Sequence, residues 1–102
     1  DLKQDRRKKY RSTLWISLPD IPGKLGEVTS LIGVNHGNIS SVEMTEKIEN
    51  HINFNFDIQI EDLKNFTKLI SELKQKEFKF RIIRHKKKDA ILQRFFKNFK
   101  KN

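Results

Sequence analysis

Between residues 52 and 60, Ile52, Phe54, Phe56, Ile58 and Ile60 alternate without a break against Asn53, Asn55, Asp57 and Gln59. Side chains along a strand point to opposite faces in turn, so this run demands a sheet with one face buried and the other wet. A one-residue slip would turn every apolar side chain to water, which pins the register as well. At 102 residues the chain has room for one small domain with a modest core.

Other elements arrange themselves around this strand. Leu14, Ile16 and Leu18 alternate with Trp15 and Ser17 as a first strand. Leu25, Val28, Leu31 and Ile32 recur on one face of a helix, which Asn35-His36-Gly37-Asn38 closes. Gly37 is the residue suited to the left-handed position just past that helix. Residues 39–46 read as a second strand with Val42 and Met44 on one face, followed by a polar turn at 47–50. After the third strand, Glu61-Asp62 opens a second helix, with Asp62 as its N-cap and Leu63, Phe66, Ile70 and Leu73 on its apolar face. Phe78, Phe80 and Ile82 make a fourth strand. The order is β-α-β-β-α-β. Right-handed crossovers then predict an α+β, ferredoxin-like sandwich: a four-stranded antiparallel sheet in the order 4-1-3-2, with both helices on one face.

Asp20-Ile21-Pro22-Gly23-Lys24-Leu25 links the first strand to the first helix. Pro22 fixes φ and pushes Ile21 away from the helical region, while Gly23 allows a tight turn and close approach. The unpaired N–H groups of a helix start point out of such a turn. They can hold a carboxylate or another small polar group, or the turn can serve only to cap the helix and set its angle.

Charge is unevenly placed. Net charge is +9, of which residues 1–11 carry +4 and residues 84–102 carry +7, leaving −2 on the stretch between them. An electrostatic attraction to a polyanion such as RNA therefore belongs to the ends, through Lys86, Lys87, Lys88, Arg94 and Lys97. Domain boundaries follow: a basic linker at 1–11, a folded domain at 12–85, and a basic tail at 86–102. Within that tail, Ile91, Leu92, Phe95, Phe96 and Phe99 share one side of a short amphipathic helix started by Asp89. Trp15 and Ile83 both point away from the two main helices, on neighbouring strands, and are the surface this tail helix is expected to cover.

Catalysis is not expected. His36, His51 and His85 have no metal-ligand spacing, cysteine is absent, and no serine sits on a Gly-flanked elbow. No cofactor is expected. Nor is there an apolar run of membrane-spanning length or a leading signal sequence, so a soluble cytoplasmic protein is the expectation. A start at Asp1 rather than Met suits a piece of a longer chain. RNA recognition motifs share this element order, but they stack bases on outward aromatics of the third strand. Here Phe54 and Phe56 share the buried face, which leaves Trp15 as the one stacking candidate.

The strand, then Asp20-x-Pro22-Gly23-x-Leu25, then the helix, then Asn35-His36-Gly37-Asn38-Ile39 entering a strand resembles the ACT domain over residues 12–84. Within that family, Asn38-Ile39-Ser40-Ser41-Val42-Glu43-Met44 and the stretch from Asp57 through Glu61-Asp62 to Phe66 look like the C-terminal ACT module of the Rel/Spo enzymes. Those enzymes make and hydrolyse guanosine tetra- and pentaphosphate. The tail beyond residue 85 departs from that pattern. The resemblance implies a regulatory module that senses an amino acid, branched-chain by family analogy, and reports to the catalytic domains of its parent chain. It also implies a ligand near the first turn and a homodimer, and a contact of the basic ends with the ribosome or its RNA is consistent with it. The alternative is a non-sensing module that docks on ribosomal RNA or its own parent protein through those ends. Carried over residue by residue, the candidate ligand contacts are Asp20, Ile21, Pro22, Gly23, Lys24 and Leu25, with Asn38 and Ile39 from the second motif. Asp20 or Asn38 would accept from a ligand ammonium, and Ile21 and Leu25 would shape an apolar pocket. Lys24 would either stay solvated or reach a carboxylate.

Overall fold

Asp62 starts the second helix as its residue type dictates. Its carboxylate accepts the Asn65 N–H at 2.8 Å, an N-cap that contributes about 1 kcal/mol. The computed structural model, which describes residues 10–85, runs β1 (Tyr10–Pro19), α1 (Lys24–Val34), β2 (Gly37–Ile48), β3 (His51–Ile60), α2 (Leu63–Gln75) and β4 (Lys79–His85). The strands form one antiparallel sheet in the order β2-β3-β1-β4, which is the order expected from the sequence. β1 begins at Tyr10, so Tyr10 and Arg11 pair with Ile60 and Gln59.

The core lies between the sheet and the two helices. Leu14, Ile16 and Leu18 of β1 meet Phe56, Ile58 and Ile60 of β3, Val28 and Ile32 of α1, and Phe66, Leu69, Ile70 and Leu73 of α2. Each of these side chains is sealed from water, and together they make the burial of apolar surface that holds the fold. Asn35, also buried, ties the helices together: its Nδ2 donates to Leu31 O and to Glu72 Oε1, both at 2.9 Å.

Three local expectations need correction. The left-handed residue after α1 is His36 (φ 63°), not Gly37. Glycine is needed at 37 because a Cβ there would sit 2.8 Å from Ile32 Cγ2 and 3.0 Å from the Ile32 carbonyl. β2 runs past residue 46 to Ile48, which shortens the turn to Glu49-Asn50. Leu25 leaves the helical stripe: it is 42% exposed, whereas Val28 and Ile32 are buried.

Bulges set the sheet's edges. Ser40 and Thr45 are extra residues in β2, because Ile39 and Ser41 pair with the consecutive Ile58 and Asp57, and Met44 and Glu46 with Phe54 and Asn53. Ile83 is the extra residue in β4, between Ile82 and Arg84, which face Leu14 and Thr13. Bulges bend and twist a strand locally. No helix among the described residues is long and apolar enough to cross a membrane.

Candidate functional site

The turn after β1 is pinned at its start. The Asp20 N–H donates to Asn50 O of the β2–β3 turn at 2.7 Å, and the Ile21 N–H donates to Pro19 O at 2.8 Å. Gly23 then sits at φ 91° as the N-cap of α1, a conformation that only glycine adopts without strain. No side chain caps this helix, and among the described residues no hydrogen bond uses the Leu25 or Gly26 amide. A helix start left in this state presents donors and the positive end of the helix dipole.

An open hollow of about 400 Å³ lies over the turn, with Leu25 but not Gly26 among its lining residues. Residues 20–25 form its rim, and Leu18, Ile52 and Phe54 form its floor. A Cβ built on Gly23 would meet nothing within 4 Å beyond its chain neighbours, so the space at that point of the turn is open among the described residues. Ile21 is 54% exposed beside it. The Asp20 carboxylate reaches Lys47 Nζ at 3.6 Å across the rim. Lys24 turns to its own helix, with Nζ 3.4 Å from Glu27 Oε1 and 5.9 Å from the Phe78 ring centroid.

Asn38 and Ile39 are not part of this hollow within one chain. They pair with Gln59 and Ile58 at the far end of β3, whereas the turn adjoins His51 at its start. Eight residues of strand separate the two ends, about 26 Å. The basic candidates Lys86, Lys87, Lys88, Arg94 and Lys97 lie outside the described residues, as does the expected tail helix.

Other features the sequence left to the structure concern the edge strand. Val42 and Met44 pair with Phe56 and Phe54 and so share the helix side of the sheet, yet they are 43% and 57% exposed. With Ile21 and Leu25 they leave an apolar band uncovered beside the hollow. The unequal spacing of Ile39, Val42 and Met44 was the available signal. Phe54 and Phe56 do face the core side, 5.9 Å apart, so the open face has no aromatic ladder. No cluster of metal-binding side chains occurs among the described residues.

A family model for the ACT domain matches residues 6–77, which spans the turn and the five elements from β1 to α2. The chain belongs to the ACT domain family. This ACT domain is 24% identical over 75 residues to the GTP pyrophosphokinase rsh proteins of Brucella ovis and Brucella abortus. The match covers 74% of the chain but only 10% of either relative, so it spans a small part of proteins that are much longer. Among solved structures, the ACT domain from the GTP pyrophosphokinase of Chlorobium tepidum superposes with a TM-score of 0.59 at 18% identity. That superposition covers 74% of this chain and all of the other. The fold is therefore that of an ACT domain related to those of GTP pyrophosphokinases.

Proposed function

We propose that this ACT domain is the regulatory, amino-acid-responsive module of a larger cytoplasmic guanosine tetraphosphate synthetase/hydrolase, and that it works as a pair. Its chief support is the hollow over the turn, which is open and lined in part by Leu25, whose amide is uncapped. A zwitterionic amino acid matches its chemistry. The carboxylate meets the uncapped amide of Leu25, the ammonium meets Asp20, and an aliphatic side chain lies against Ile21, Leu25 and Phe54. By family analogy that side chain is branched.

Pairing supplies the rest of the site. β2 is an edge strand with unpaired backbone groups, and edges of this kind invite another strand. Antiparallel pairing of two β2 strands about a two-fold axis near Glu43 would bring the start of one beside the end of the other. Asn38 and Ile39 of the second copy then come to the end of the sheet where Lys47 and the turn lie. Such pairing also covers Val42 and Met44. A ligand that bridges two copies binds the paired state better than the separate one, which is the differential affinity any regulation requires.

A thermal-shift and calorimetric screen of the proteinogenic amino acids tests this reading, with Gly23→Val as the comparison. The expected result is stabilisation by one aliphatic class that disappears in the variant. Silence across the panel, together with salt-sensitive RNA binding through Lys86, Lys87, Lys88, Arg94 and Lys97, would replace sensing with docking.

A further inference from the structure

Neither α1 nor α2 packs on the sheet face turned away from them, yet several of its central side chains have little exposure. On its central strands Thr13, Ser17 and Asn53 are only 6%, 8% and 7% exposed. Asn55 Oδ1 is sealed off without a hydrogen-bond partner. Trp15, the chain's one Trp, carries the Arg81 guanidinium stacked 4.4 Å from its ring centroid. Beside this stack lies a hollow of about 550 Å³ that extends to Ile48 at the β2–β3 turn. Ile83, displaced by the β4 bulge, is 48% exposed.

We propose that residues 89–102 dock on this face as a helix, with Phe95, Phe96 and Phe99 over Trp15 and Ile83. The connection favours it. β4 ends at His85, which pairs with Ser12 on the central strand β1, so the chain leaves the sheet at one end of this very face. Lys86-Lys87-Lys88 gives the reversal, and the 14 residues that follow span about 21 Å as a helix. That length runs along β1 from Thr13 past Ser17.

Amphipathicity and charge agree. At helical spacing, Ile91, Leu92, Phe95, Phe96 and Phe99 occupy one arc of about 140°, too large an apolar stripe to leave in water. Asp89, the tail's one acid, falls at the end of the face where Arg11 and Arg84 line a smaller hollow. The lysines at 97 and 100 fall toward Glu43 and Glu46, which share this face with their partners Asn55 and Asn53. The stacked Arg81–Trp15 pair supplies a flat surface for the rings.

Trp15 reports the contact directly. Compared with the full chain, a chain ended after Lys88 is expected to show emission moved to the red and faster acrylamide quenching. Adding a synthetic peptide of residues 86–102 should reverse both changes saturably. The full-length double variant Phe95→Asp with Phe96→Asp gives the same red shift without truncation, and circular dichroism confirms that it is folded. Unchanged emission in either folded variant overturns the proposal. A blue-shifted Trp15 that appears only as protein concentration rises overturns it too, because the tail then docks on a second copy. Capture of the tail by anionic vesicles with Trp15 unaltered also contradicts it.

Discussion

Gly23 and Gly37 are glycines for different reasons, and only Gly23 lies in the candidate site. Gly23 has open space above it and a positive φ; any side chain there strains the backbone that aims the α1 amides. Gly37 has ordinary backbone geometry but no room, because Ile32 lies where a Cβ would go. Gly37→Ala is accordingly expected to destabilise the domain by about 1–3 kcal/mol through overpacking, read by urea denaturation, while amino-acid binding to the folded protein persists. From sequence alone, an Asn-His-Gly-Asn stretch signals a helix stop, but it does not say which residue takes the left-handed conformation. His36 takes it because Gly37 is already committed to its close approach to α1.

The strands differ in how openly the sequence shows them. β3 is central and has one dry face, so its alternation is unbroken and its register could be read outright. β2 is an edge strand whose two bulges break the period at Ser40 and Thr45, so its ends and its exposed side were hidden. What the interrupted pattern does show is that Val42 and Met44 stay on the helix side without a helix to cover them. An edge in that state is suited to pairing with its own copy. Light scattering from micromolar to millimolar concentration is expected to show a dimer that Met44→Lys disrupts. The same substitution should change monomer stability by no more than about 0.5 kcal/mol, because the site is exposed. A strict monomer over that range contradicts the pairing.

At the scale of the whole molecule, element order was enough to give the sheet order and the layer of helices, while the family resemblance needed the residues of the turn and of the stretch at 35–39 as well. A β-α-β-β-α-β chain with right-handed crossovers has few ways to pack. The site was only half legible. The turn could be placed because Pro22 and Gly23 act locally, but Asn38 and Ile39 end up about 26 Å away along a strand, and they would return to it only from a second copy in the proposed pair. Function in this account is thus a property of the pair.

An amide NMR titration of the 102-residue chain with leucine, isoleucine and valine in turn tests the account most directly. The expected result is saturable movement of the Gly23, Leu25 and Gly26 resonances, joined by Asn38, with α2 amides at Lys68 and Glu72 still. Resonances of the turn that stay in place up to saturating amino acid, in protein shown to be paired, would contradict it.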